Sequence, residues 1–220
     1  MKKFILIAAA LLIGIQANAQ LIFNGGYLHA TEQTSISEAG NTVSGTDLLD
    51  GLYAGAKYRF GLDGITEGLS IAPGANLSFL FGRHAQTDVF DNFADKAILN
   101  QIALNVPVHV QYLFEITPDF KLEAWAGPTM QIGLYDRVID NGDNPTLIYN
   151  QFKDIPGSVR TRPMAARSLF NLYLGLGVGV EISELIHVNV GYDFGLLNLS
   201  KDPNINVTRG LLRIGFGYNF

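Results

Sequence analysis

The 220-residue chain contains no cysteine, so a disulfide framework and the lipid-modified cysteine of a lipoprotein are both excluded. It also lacks any apolar run of about 20 residues, the length a membrane-crossing helix needs. Membrane residence would therefore have to come from strands. Basic residues are scarce, 15 against 20 acidic ones, and a net charge of −5 argues against nucleic acid as a partner. Only four histidines occur, His29, His84, His109 and His187, and no G-x-S-x-G nucleophile turn accompanies them. His29 could approach Glu32 and His84 could approach Asp88, but one histidine beside one acid is commonplace, so no enzyme, catalytic residue or cofactor is expected.

The amino terminus reads Lys2-Lys3, an apolar run from Phe4 to Ile15, then Ala17-Asn18-Ala19 before Gln20. A basic start, an apolar stretch and an A-x-A site predict a signal peptide over residues 1–19, cleaved after Ala19, and a mature domain over 20–220. Loss of Lys2 and Lys3 takes the 15 basic residues to 13, so the exported domain is more acidic still. With 24 glycines, 9 tyrosines, 14 phenylalanines and Trp125, the composition of the whole chain suits twisted strands flanked by interface-seeking rings.

Alternation with a period of two runs through this domain. Ile102, Leu104, Val106, Val108, Val110, Tyr112 and Phe114 form one apolar series; Phe170 to Ile182, Ile186 to Phe194 and Leu212 to Phe220 form others. Eight strands are predicted near 21–30, 50–60, 69–82, 99–114, 120–134, 169–182, 186–197 and 208–220. Their connections alternate between long (31–49, 83–98, 135–168, 198–207) and short (61–68, 115–119, 183–185), as in an up-and-down barrel with long outer loops and short periplasmic turns. Lys57, Arg59, Lys121, Glu123, Glu181, Asp193 and Arg213 all fall opposite the apolar face of their strands, leaving that face free of charge. A soluble barrel or sandwich would alternate too, with its apolar face inward. Rings near the strand ends, an opposite face rich in glycine and polar groups, and a chain stopping on a strand at Phe220 favour lipid.

Ala17-Asn18-Ala19-Gln20, Leu104-Asn105-Val106-Pro107-Val108, Ala124-Trp125-Ala126-Gly127-Pro128, Leu174-Gly175-Leu176-Gly177-Val178-Gly179, Tyr192-Asp193-Phe194-Gly195-Leu196 and Gly215-Phe216-Gly217-Tyr218-Asn219-Phe220 occur in that order. As an ordered set they resemble the outer-membrane β-barrel proteins of Bacteroidetes-type bacteria, labelled porin family or PorT-like. The resemblance implies an eight-stranded antiparallel transmembrane barrel in the outer membrane of a Gram-negative-type bacterium. It also implies insertion by an assembly machinery that reads a terminal aromatic such as Phe220, and no catalytic residue.

About eight strands leave room for side chains and not for an open pore. The 183–185 turn sets Glu181 opposite His187, and a symmetric 198–207 loop sets Asp193 opposite Arg213. A lumen network of Lys57, Arg59, Glu123, Glu181, His187, Asp193 and Arg213 is thus predicted, readable as a rigid plug or as a gated polar path, with barrel size favouring the plug. In the longest loop, Asp136, Asp140, Asn141, Asp143 and Asn144 offer oxygen ligands without the spacing of a calcium loop, so no metal is expected. Lys153, Arg160, Arg162 and Arg167 form a basic segment that could meet lipopolysaccharide phosphates or a protein partner through loop 135–168, or be a solvated loop with scattered charge. Asp88, Asp91 and Asp95 with Phe90 and Phe93 read as a short amphipathic loop element. The expected role is a structural or interaction protein of the envelope; the alternative is a narrow porin-like channel or a transport or secretion accessory.

Overall fold

The computed structural model describes residues 19–38, 41–83, 97–140, 148–150 and 167–220. Among these, nine strands appear: β1 Ala19–Glu38, β2 Asn41–Gly61, β3 Leu69–Arg83, β4 Ala97–Thr117, β5 Phe120–Asp140, β6 Ile148–Asn150, β7 Phe170–Ile182, β8 Ile186–Gly195 and β9 Ile205–Asn219. Each pairs antiparallel with its neighbour, and β1 pairs with β9 from Ile22↔Asn219 to Ile36↔Ile205. With β4 on β5 and β5 on β7, eight strands close into a ring, and β6 is a short addition to β5. Closure leaves no open edge where backbone groups would face hydrocarbon.

The alternation resolves in one direction. Leu52, Leu77, Leu174, Leu176, Val178 and Phe216 stand on the outside, each at least half exposed, while Lys57, Arg59, Glu123, Glu181, Asp193 and Arg213 are buried within. A barrel with its apolar face outward matches a bilayer and not water.

Three expectations need correction. Residues 31–49, read as a long loop, continue β1 and β2 as a hairpin paired from Thr31↔Leu48 to Glu38↔Asn41. Their serines and threonines look like loop sequence, yet Ser35 and Ser44 (3.2 Å) and Ser37 and Thr42 (3.2 Å) bond across the ladder. β5 likewise runs on to Asp140, and between Ile102 and Ala103 of β4 the register against it shifts by one residue. That bulge inverts the alternation beyond Leu134 and re-aims Asp136 from the exterior into the lumen. Finally, the outer face is not free of charge: Asp50 lies on it between Leu48 and Leu52.

At the other end the connections are tight. Ser183 and Glu184 both adopt positive φ, 52° and 58°, and Leu185 N–H donates to Ile182 O at 3.1 Å. Two successive residues of positive φ closed by this bond form a primed turn, whose twist matches that of the flanking strands, within the three-residue connection between the register partners Ile182 and Ile186.

Candidate functional site

The lumen concentrates the polar chemistry of the chain. Near the tight turns, every strand of the ring contributes one side chain to a single layer: Gln20, Arg59, Ser70, Gln111, Glu123, Glu181, His187 and Asn219. Arg59 lies at its centre, donating to Glu181 at 2.5 Å, to Glu123 at 3.4 Å, to Gln20 at 3.1 Å and to Gln111 at 3.4 Å. Lys57 reaches Glu123 at 3.5 Å, and Gln111 donates to it at 3.0 Å. His187 sits 3.3 Å from Glu123 and 3.1 Å from Glu181, and its Nε2 meets the Asn219 side chain at 2.7 Å. Two buried cations thus face two buried carboxylates, with the imidazole between them. Five of the seven predicted lumen residues meet here, and Glu181 and His187 are register partners. Lys121 leans to the rim and donates to Glu184 at 2.6 Å, a contact that holds the Glu184 carboxyl below its usual range.

Asp193 and Arg213 form a separate pair deeper in the barrel, Arg213 Nε donating to the Asp193 carboxylate. They are not directly opposite: Arg213 pairs with Gly191 and Asp193 with Leu211, so the bond is diagonal. The 198–207 connection is therefore not symmetric about the pair. Arg213 also lies over the Tyr53 ring at 5.7 Å, a cation–π arrangement. The other Asp193 oxygen, Oδ1, has no hydrogen-bond partner among the described residues.

Trp125 was grouped with interface-seeking rings and is instead a lumen residue, 7% exposed and stacked on His109 at 4.3 Å. Its indole fills the space that the inward glycines leave; a Cβ on Gly177 would come within 2.4 Å of the indole and one on Gly191 within 2.2 Å. The alternating glycines opposite a single tryptophan were the available signal. His109 packs here with Thr129 at 3.3 Å. Beyond it, Asn105 bonds Asn76 and Ser78, Gln131 donates to Asn105 at 2.8 Å, and Tyr173 donates to Gln131 at 3.0 Å.

The lumen is not polar throughout. Leu28, Ala30, Leu49, Tyr53, Leu80, Leu99, Tyr173 and Leu211 form one buried apolar cluster inside the barrel. Beyond it, Glu32, fully buried, accepts from Arg167 at 2.8 Å and from Arg209 at 2.5 Å. Asp136 stands 3.9 Å from Arg167 and accepts from Gln101 at 3.2 Å. Several earlier expectations change accordingly. Glu32 faces inward and His29 outward, so the two do not meet; His29 bonds Asp50 at 2.8 Å instead. Arg167 is not part of a solvated basic loop, and Asp136 is not a loop oxygen ligand. Lys153, Arg160, Arg162, Asn141, Asp143, Asn144, His84, Asp88, Phe90, Asp91, Phe93 and Asp95 lie outside the described residues. Among the described residues, no group of three His, Cys, Asp or Glu side chains could hold a metal ion.

A closed eight-stranded barrel, apolar outside and filled within, defines an outer-membrane class of protein. The chain matches the family described as outer membrane protein beta-barrel domain over residues 5–220, and it belongs to that family. No curated protein matches it. Among solved structures it is similar to Neisserial surface protein A, with 17% identity over 92% of this chain and 99% of that one and a TM-score of 0.44. It is similar also to Ail, the attachment invasion locus protein of Yersinia pestis (14%, 90% and 98%, 0.36), and to the outer membrane enzyme PagL (10%, 87% and 98%, 0.42).

Proposed function

We propose that this outer-membrane barrel is a non-channel, non-enzymatic envelope protein that works through its long connections, meeting lipopolysaccharide or protein partners at the cell surface. The observation that carries this reading is the order of layers in the lumen. Between two end layers of buried ion pairs lie an apolar cluster and the Asp193–Arg213 pair, so a hydrated ion would have to shed water and break paired charges in succession. Function is thereby displaced from the lumen to the rim.

Residues 1–19 act in this reading as a cleaved export signal, and Phe220 as the ring that the assembly machinery recognises. Phe220 is 77% exposed at the end of β9, packed edge-on against Phe23 and Tyr218. The ordered motifs support assignment to the Bacteroidetes-type, PorT-like branch. Within loop 135–168, Lys153, Arg160 and Arg162 supply the charge for phosphate-bearing or acidic partners.

The test is photo-crosslinking in intact cells, with the reactive residue placed in loop 135–168 or in the 115–119 turn. Adducts to lipopolysaccharide or a surface protein from the loop and none from the turn are expected. Adducts confined to the turn, or none from any long connection, would overturn the reading.

A further inference from the structure

Asp50 is an ionised side chain on a lipid-facing wall, a placement that membranes penalise and that marks function. It is not alone. Tyr27 and His29 of β1 face the same way, Tyr27 OH donates to Asp50 Oδ1, and His29 Nδ1 reaches the same oxygen at 2.8 Å. Asp50 Oδ2 remains as an acceptor, so the carboxylate can receive a further hydrogen-bond donor and repels phosphate oxygens.

Directly along the strands from this cluster lies a furrow of about 470 Å³ in the outer wall, lined by Leu52, Ala54, Leu77, Phe79 and Ile102. Its floor holds Ala54, a small outward residue paired with Gly25. The furrow and the cluster are continuous, since Leu52 pairs with Tyr27 and Phe79, and Asp50, two residues on, pairs with His29 and Phe81. Its volume falls in the range of ligand pockets, roughly 300–1,000 Å³.

We propose that this surface is a binding site for one acyl lipid with an ammonium-bearing headgroup, the chain lying in the Leu52–Ala54–Leu77–Phe79–Ile102 furrow and the ammonium donating to the Asp50 carboxylate. A primary ammonium brings three donors and a positive charge to this carboxylate. A trimethylated ammonium brings the charge without the donors. The site lies outside the lumen and does not depend on how the long connections act.

The experiment uses the full-length protein, delipidated in detergent and offered phosphatidylethanolamine, phosphatidylcholine or phosphatidylglycerol with identical chains, with bound lipid counted by native mass spectrometry. Retention of one phosphatidylethanolamine about fivefold above phosphatidylcholine is expected. Asp50→Asn should bring the first down to the second. Ala54→Phe, which fills the furrow, should weaken all three headgroups alike, with Ala54→Ile as a milder version; heat-modifiable gel migration verifies that each variant is folded. Equal retention of the ethanolamine and choline lipids, or no effect of either substitution in folded protein, would overturn the proposal. Preferential retention of phosphatidylglycerol would also overturn it.

Discussion

The two ends of the lumen bury charge by different routes. At the tight-turn end, Arg59, Glu123, Glu181 and His187 come from strands whose short turns set their register, and each carboxylate has two or more partners. At the other end, Glu32 meets Arg209 as a direct β1–β9 register partner, but Arg167 arrives from a long connection, tied down by a single bridge to Ser200. The first layer is a property of the barrel wall. The second depends on a segment that folds back into the mouth, closed over by Leu199, Ile205 and Val207. Stability should therefore be concentrated at one end and local opening at the other.

The sharpest way to break this contrast is Arg59→Ala. It removes the cation shared by Glu123 and Glu181 in a fully enclosed layer, where breaking a buried pair costs about 3–5 kcal/mol. The urea midpoint of lipid-folded protein should fall accordingly, with loss of the whole barrel signal in one step. A shift as small as that of a surface substitution would show that water screens the layer.

Glu32→Gln comes next. Arg167 and Arg209 would lose the charge of the carboxylate but keep an amide oxygen as acceptor, so the global cost should be smaller, about 1–3 kcal/mol. Its signature is local: protease should cleave near Arg167 in the variant while the strands stay intact. Global unfolding equal to that of Arg59→Ala would erase the distinction between the two ends.

Between the ends, Asp193 and Arg213 should couple. Each single alanine change leaves a buried charge behind, and the double change should cost less than the two summed, by about 0.5–3 kcal/mol. Additive losses in a double-mutant cycle would mean that the diagonal bond contributes nothing net.

The smallest effect concerns Glu184, exposed at the turn and held below its usual carboxyl range by the hydrogen bond from Lys121. A depressed folded-state pKa contributes stability above the unfolded value, and that contribution is lost as pH falls through the folded one. Glu184→Gln should flatten the acid-side slope of stability between pH 5 and 3, by about 0.5 kcal/mol or less. A steeper slope in the variant would contradict the sign.

The same contrast explains what was legible in the sequence. Where a tight turn fixes register, pairing could be counted along the chain: Glu181 meets His187 because 183–185 is short. Asp193 and Arg213 share a face, which alternation reveals, but the long 198–207 connection hides their diagonal offset. Asp136 was unreadable because one bulged residue inverts alternation, and nothing in Gly133-Leu134-Tyr135 announces it. Arg167 looked like its basic neighbours, since burial by a returning loop leaves no periodic trace. Trp125 obeyed the inward parity of its strand, yet composition alone grouped it with the rings outside. Polar alternation in Thr31 to Thr46 reads as a loop because strands that rise past the bilayer no longer need apolar residues.

The lumen is closed by its own side chains. Planar-bilayer recording of the purified barrel tests it most directly, with a Leu49→Ser and Leu211→Ser double variant measured beside it to remove part of the apolar layer. A flat trace for the unaltered protein across the voltage range is the predicted result; stable, reproducible conductance steps from the unaltered protein would contradict it.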